Sequence, residues 1–111
     1  MGSLQSLPEA HFHILMVLAD GDKHGYSIMQ EVAALTGGKT KLSPGTLYGA
    51  IQRLAEEGLI DEVRSTAKDE RRRTYRITAA GRRAATLEVQ RLGILLDRAR
   101  TNGLASKPAK V

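Results

Sequence analysis

The segment Leu42-Ser43-Pro44 constrains the fold more than any other, because it marks where a helix must begin. The hydroxyl of Ser43 can accept a hydrogen bond from an otherwise unpaired amide of the first turn, and Pro44 suits the first helical position. Gly58 supplies a left-handed stop at the other end. The sequence therefore predicts a helix that begins at Pro44 and ends at about Glu57.

The two faces of this predicted helix differ in composition. At about 100° per residue, Leu47, Ile51 and Leu54 fall on one buried face. The opposite face carries small or neutral polar groups and a single arginine: Gly45, Thr46, Gly49, Gln52 and Arg53. Two exposed helical glycines cost about 1 kcal/mol each relative to alanine. Their presence indicates that another molecule approaches this backbone closely.

Two β-strand patterns follow, and they enclose the most basic stretch of the chain. Residues 59–66 and 73–78 contain the β-formers Val63, Tyr75 and Ile77, and their connection is polar. The whole chain has a formal charge of +5, yet residues 64–83 hold eight bases against two acids. The pattern predicts a β-hairpin with a basic tip; the alternative is a solvated charged loop.

Two more helices are predicted before this region. The first begins after Leu7-Pro8 and ends at the turn Asp20-Gly21-Asp22, and the second runs from about Gly25 to Thr36. The positions expected to be buried are Phe12, Leu15, Met16 and Ala19 in the first helix and Ile28, Val32 and Leu35 in the second.

A last helix is predicted from Ala79 to Arg100, with Thr78 as its cap. Residues spaced alternately by four and three form a heptad seam: Ala85, Val89, Leu92, Leu96 and Ala99. Leu87 and Ile94 lie on the opposite side, so the helix needs two apolar partners. One partner can be its own domain and the other a second copy, which predicts a two-fold dimer. The alternative is a helix folded entirely onto its own domain.

Several classes of protein are excluded or disfavoured by composition. Cysteine is absent, which excludes disulfides, thiolate metal sites and a catalytic cysteine. His11 and His13 are two residues apart on a helix and point in different directions, so no metal site is expected. No phosphate loop or nucleophile motif occurs, and no apolar run approaches the roughly 18 residues of a membrane span. We expect a cytoplasmic protein without enzymatic activity, cofactor or membrane partner.

The order helix, helix, helix, hairpin, helix is mainly α with a small β-hairpin, and it predicts a winged helix-turn-helix fold with a long C-terminal helix. In that fold the later helix enters the DNA major groove and the hairpin contacts phosphates or the minor groove. The chain then divides into a flexible N-terminus (1–7), a winged-helix DNA-binding domain (8–78), a dimerisation helix (79–100) and a disordered tail (101–111).

Three strings point to a particular family: His24-Gly25-Tyr26-Ser27-Ile28, the LSPGTLYGAIQRL segment of residues 42–54, and the RTYRITAAGR segment of residues 73–82. Through them residues 8–83 resemble the PadR-type winged-helix transcriptional regulators, in a short form with one C-terminal helix. The resemblance implies dimerisation through that helix, with help from the first. It also implies DNA contacts by Ser43, Thr46, Tyr48 and Gly49 and a phosphate contact by Tyr26.

Charge and position add further candidates for DNA contact: Lys39, Lys41, Gln52, Arg53, Lys68, Arg71 and Arg72. Several residues have a second possible role. Tyr26 and Tyr48 can be core tyrosines, and Arg53 can simply cover the helix surface. Arg73 and Arg76 can serve the strands rather than DNA.

The sequence predicts a homodimeric repressor that binds double-stranded DNA at a near-palindromic operator, with half-sites about 34–36 Å apart or a multiple of that. Release by a small-molecule effector, which the resemblance implies, stays open against a constitutive repressor, because the chain has no Trp and a single Phe for stacking. The same residues are also compatible with a non-enzymatic protein-interaction module that uses the C-terminal helix, and with a winged-helix regulator of the MarR-like family.

Overall fold

The computed structural model describes residues 7–63 and 72–106. Within these ranges the elements are α1 (Glu9–Leu18), β1 (Lys23–His24), α2 (Gly25–Leu35), α3 (Pro44–Glu56), β2 (Ile60–Val63), β3 (Thr74–Ile77) and α4 (Ala79–Thr101). The helices and the β2–β3 hairpin follow in the predicted order. The mainly helical, winged-helix fold class is confirmed.

Side-chain caps begin α3 and α4 at the predicted residues. Ser43 Oγ accepts a hydrogen bond of 3.2 Å from the amide of Thr46, and Thr78 Oγ1 accepts one of 3.0 Å from the amide of Gly81. After α3, Gly58 adopts a φ of 76°, the left-handed conformation that ends many helices. Local chemistry thus sets both ends of α3 and the start of α4.

The sheet includes one strand that the sequence did not predict. β1 pairs antiparallel with β3, with His24 opposite Thr74, and the strand order is β1-β3-β2. The amide of Gly25 adds a hydrogen bond of 3.2 Å to the carbonyl of Arg73. Two residues are too few to show the alternation of a strand. The pairing joins the start of α2 to the base of the hairpin.

One aliphatic core joins the first three helices to the sheet. Its fully buried side chains are Ile14, Leu15, Leu18, Ile28, Val32, Leu47, Leu54 and Ile60. Tyr75 and Ile77 of β3 close the core on the sheet side. Burial of each such aliphatic side chain contributes about 1.5–3 kcal/mol. This core holds α3 in a fixed orientation relative to the hairpin.

Two positions predicted to be buried are exposed. Met16 is 37% exposed and Leu35 is 53% exposed, whereas α1 buries Ile14 and Val17, which the predicted stripe omitted. The contacts of α1 with α2, α3, α4 and β3 cover Ile14, Leu15, Val17 and Leu18 and leave Met16 at the edge of the buried face. Leu35 is the last residue of α2 and extends beyond the core.

The first part of α4 packs closely on the body of the domain. Gly81 is buried, and a Cβ built there would lie less than 2.5 Å from the carbonyl oxygen of Leu59. Ala84 and Ala85 pack against the core. Farther along, the helix exposes a series of large apolar side chains: Leu87, Val89, Leu92, Ile94, Leu95 and Leu96.

Parts of three predicted segments lie outside the described residues: 1–6 of the N-terminus, 64–71 of the hairpin and 107–111 of the tail. At the edges of these gaps, Leu7 packs against the core. After α4, the amide of Leu104 donates a hydrogen bond of 2.7 Å to the carbonyl of Ala99.

Candidate nucleic-acid interface

α3 carries a surface of small and polar residues, which we call the α3 outer face. Its exposed members are Gly45, Thr46, Gly49, Gln52 and Arg53. Among the described residues, no atom of another element lies within 4 Å of a Cβ built at Gly45 or Gly49. The backbone of α3 is therefore accessible over its first two turns.

Ser43 and Thr46 are linked at the start of this face. Ser43 Oγ accepts from the amide of Thr46 and donates to Thr46 Oγ1 at 3.0 Å. Both residues are exposed. The cap that starts the helix thus also restrains the hydroxyl of Thr46.

Tyr48 lies at the junction of α2 and α3 rather than on the α3 outer face. Its ring is half-buried and packs against the core. A Cβ built at Gly25 would lie 2.7 Å from the Tyr48 hydroxyl oxygen, so a larger residue at position 25 would force this ring to shift. The ring accordingly combines a packing role with a partly exposed edge.

The start of α2 brings two aromatic side chains to the surface. Tyr26 is 50% exposed, so it is not a core tyrosine. His24 is exposed, and its Nδ1 lies 3.0 Å from Thr74 Oγ1. The sequence reasoning did not single out His24, because its position depends on the unpredicted pairing of β1 with β3.

Basic side chains lie on the α3 outer face and on the segments before α3 and before β3. The exposed ones are Lys39, Lys41, Arg53 and Arg72. No ion pair joins these four to a carboxylate in the part of the chain that the structure describes. Lys68 and Arg71, the other predicted hairpin contacts, lie outside the described residues. Such unpaired positive charges attract a polyanion.

Arg76, a residue of β3, pairs with a carboxylate of its own domain. Its Nη2 lies 3.0 Å from Oδ2 of Asp22, and this hydrogen bond raises the pKa of the Arg76 guanidinium. The pKa of His11 is lowered mainly by burial; the charge of Glu57 opposes this shift and the charge of Arg53 adds to it. His11 is therefore not counted among the cations near α3.

A cleft of about 770 Å³ separates α3 from the sheet and opens along the α3 outer face. Its lining includes Gly45 and Gly49 of α3 and Arg73 at the base of the hairpin. Glu56 and Glu62 also line it, toward the last turn of α3. Because the carboxylates repel phosphate and a helix N-terminus attracts it, the start of α3 suits a polyanion better than its end.

The five predicted dimerisation residues fall into two groups. Ala85 packs on its own core, whereas Val89, Leu92 and Leu96 are 48%, 38% and 42% exposed. Ala99 is half-buried, as Ala85 is. The seam thus packs on its own domain at Ala85 and is exposed from Val89 to Leu96.

Other kinds of site are missing from the described ranges. Residues 7–63 and 72–106 contain no group of three or more His, Asp or Glu side chains that could hold a metal ion. Nor does any helix within those ranges have the length and apolar character needed to cross a bilayer.

An N-capped third helix with an outer face of small and polar residues, followed by a hairpin, is typical of a winged-helix DNA-binding transcriptional regulator. Residues 14–87 match the model of the family described as "Transcriptional regulator PadR-like family". The chain belongs to this family, as the resemblance predicted, rather than to the MarR-like family.

Individual relatives agree with this assignment. Transcriptional regulator Rv3488 of Mycobacterium tuberculosis is 40% identical over 74 residues, which are 67% of this chain and 66% of that protein. A transcriptional regulator from Clostridium thermocellum has a TM-score of 0.69 at 26% identity, covering 83% of this chain and 87% of its own. RosR of H. salinarum has a TM-score of 0.64 at 26% identity, covering 85% and 78% respectively. The match to Rv3488 thus spans slightly less than two thirds of that relative.

Proposed function

We propose that this protein is a cytoplasmic, non-enzymatic repressor that binds a near-palindromic operator as a homodimer and needs no cofactor. The observation that carries the proposal is the α3 outer face. Its two glycines leave the helix backbone open, and no apolar side chain lies among its members. A surface of this kind suits the major groove, where a recognition helix makes close polar contacts with base edges.

In the proposed complex with DNA, the cations and the polar residues of α3 contact different parts of the duplex. Lys39, Lys41, Arg53 and Arg72 contact phosphates on either side of α3, and Tyr26 adds a hydroxyl contact at the start of α2. Lys68 and Arg71 extend the same role to the hairpin tip. Gln52 and Thr46 contact bases, and Gly49 allows close approach. Phosphate contacts set the position of the protein, whereas base contacts set its specificity.

The homodimer is supported by the outer half of α4, which we define as residues 91–101. Its exposed apolar side chains include Leu92 and Leu96 of the heptad seam and the neighbouring Leu95. Covering apolar surface contributes roughly 25 cal/mol per Å², and a two-fold axis lets one seam cover its copy. We accordingly retain the division into a winged-helix domain (8–78) and a dimerisation helix (79–100).

An effector would act where α4 meets the winged-helix body. A groove of about 230 Å³ lies there, between α1 and α4, with Met16, Ala19 and Val89 in its lining. The lining contains no aromatic side chain, which disfavours ligands held by ring stacking. A ligand in this groove would change the angle of α4 and so the separation of the two α3 helices.

The test is selection of genomic fragments by the full chain, followed by footprinting and titration at two salt concentrations. A repressor of this kind gives a discrete two-fold footprint and affinity that falls steeply with salt. Absence of DNA binding at low salt would instead favour the protein-interaction module. Reporter expression from the selected fragment, with and without the protein, then separates repression from activation.

A further inference from the structure

The hydroxyl groups at the start of α3 form a hydrogen-bond chain that includes the amide of Thr46. The amide of Thr46 donates to Ser43 Oγ at 3.2 Å, and Ser43 Oγ donates to Thr46 Oγ1 at 3.0 Å. A hydroxyl has one proton to give. The proton of Ser43 is therefore used within the protein.

The consequence falls on Thr46, which is exposed on the α3 outer face. Its oxygen already accepts from Ser43, and its own proton remains available to an outside acceptor. Hydrogen bonds in a chain polarise one another, so acceptance from Ser43 strengthens Thr46 as a donor. Ser43 also holds the hydroxyl in place, because the cap fixes both residues on the first turn.

We infer that Thr46 selects hydrogen-bond acceptors on one base pair of the operator, and that Ser43 is the positioning residue that gives Thr46 this polarity. The inference rests on the proposed function, since it requires α3 to lie in the major groove. Acceptors there are the purine N7 atoms, guanine O6 and thymine O4, whereas adenine N6 and cytosine N4 carry donors.

The single outward proton of Thr46 can bond to one acceptor at a time. We therefore expect Thr46 to favour two of the four bases over the other two at that position. Contact with N7 accepts adenine and guanine alike and disfavours pyrimidines on that strand. Contact with a keto oxygen accepts guanine and thymine alike. Either pattern fits a donor, whereas a shared preference for adenine and cytosine would require Thr46 to accept a hydrogen bond instead.

The experiment measures the affinity of the full chain for a selected operator and for every single base-pair substitution in one half-site. Thr46→Val keeps the β-branched shape and removes the hydroxyl, while Thr46→Ser keeps the donor. A single neutral hydrogen bond corresponds to roughly 3- to 10-fold in affinity. We expect the wild type and Thr46→Ser to discriminate by that ratio at one position, and Thr46→Val to lose the ratio there alone.

A matched pair of variants tests the role of Ser43. Ser43→Asn and Ser43→Asp both keep an oxygen that caps the helix, but only the amide has a proton to donate to Thr46. We expect Ser43→Asn to retain the base discrimination and Ser43→Asp to abolish it. Because the added carboxylate repels all DNA equally, the readout is the ratio between operators rather than the affinity itself.

The outcomes separate this inference from the proposed function. If the wild type binds no operator, the proposed function is wrong. If it binds and Thr46→Val weakens all sequences equally, Thr46 contacts a phosphate and the inference is overturned. It is likewise overturned if Thr46→Val changes nothing, or if Ser43→Asp discriminates as the wild type does. Thermal unfolding of each variant confirms that the fold is intact.

Discussion

The α3 outer face and the outer half of α4 are both exposed, yet their chemistry is opposite. The first consists of glycine, hydroxyl, amide and guanidinium groups, whereas the second exposes Leu92, Ile94, Leu95 and Leu96. A polar, indented surface suits a hydrated groove lined with hydrogen-bonding groups. An apolar seam suits a matching seam on another chain. The contrast indicates two different partners for one small domain.

The two regions also differ in how their own chain supports them. α3 is fixed on its own domain, because Leu47 and Leu54 are fully buried in the core. Among the described residues, the core cluster and the partly buried hydrophobic side chains packed on it include Ala84 and Ala85 of α4 but no residue of its outer half. The orientation of α3 is therefore set within one copy, whereas the outer half of α4 would gain packing in the proposed dimer.

The largest effect is expected when polar residues replace two leucines of the α4 seam. Leu92→Ser combined with Leu96→Ser should raise the dimer dissociation constant at least 100-fold, because each buried leucine contributes about 1.5–3 kcal/mol and both copies lose two. Sedimentation equilibrium measures the change. Circular dichroism should show that the winged-helix body stays folded.

The control for this prediction is Leu87→Ser combined with Ile94→Ser on the opposite side of α4. These side chains are 66% and 71% exposed, and the heptad seam does not include them. Their replacement should leave the dimer intact. A dimer that is lost only in this control would place the interface on the other side of the helix.

The next effect tests where α4 is anchored. In Gly81→Ala the new methyl group meets the backbone oxygen of Leu59, less than 2.5 Å away, so α4 and the backbone at Leu59 must move apart. Forcing atoms into a packed site typically costs about 1–3 kcal/mol, and backbone contact puts this variant at the upper end. Denaturant unfolding monitored by circular dichroism checks the loss.

Gly93 provides the matched substitution within the outer half of the same helix. No described atom outside its own helix lies within 4 Å of a Cβ built there. Gly93→Ala should raise the free energy of unfolding by roughly 0.5–1 kcal/mol through helix propensity. Equal destabilisation by the two alanines would contradict the anchoring of α4 at its start.

A smaller effect is expected for two cations that the sequence predicts as hairpin contacts. Arg71→Ala combined with Arg72→Ala should weaken binding to all DNA and lower the salt slope by about two, roughly one for each lost phosphate contact. Arg76→Ala is the control, because Asp22 already pairs with that guanidinium. Fluorescence anisotropy across a salt series measures the slopes; equal slopes for wild type and double variant would remove the hairpin from the interface.

The smallest effect concerns pH, at the point where α4 leaves the body. A hydrogen bond from Arg91 lowers the pKa of Glu88. A carboxyl group with a lowered folded pKa stabilises the fold above its unfolded pKa of about 4.3 and loses that contribution as the pH falls through the folded value. Glu88→Gln should therefore flatten the acid side of the stability profile. An unchanged profile below about pH 4.3 would show that the ion pair adds nothing.

Features set by neighbours along the chain were predictable from the sequence. The caps at Ser43 and Thr78 and the stop at Gly58 follow from the chemistry of single residues. The buried stripe of Leu47, Ile51 and Leu54 follows from helical spacing. These signals gave the ends of α3 and its two faces, and thus the surface on which the proposed function rests.

Features set by packing between distant residues were not predictable in the same way. The exposure of Met16 depends on how many elements cover α1, and the place of Tyr48 depends on the room that Gly25 leaves. β1 has two residues and forms only because β3 lies beside it. The direction of the Ser43–Thr46 hydrogen bond likewise needed coordinates.

The pairing of β1 with β3 has a consequence for the shape of duplex that the protein accepts. The amide of Gly25 and the carbonyl of Arg73 hold Tyr26 and Arg72, each one residue away, on adjoining backbone segments. With these two residues as phosphate contacts, this hydrogen bond would limit how far apart the two contacted phosphates of a duplex can lie.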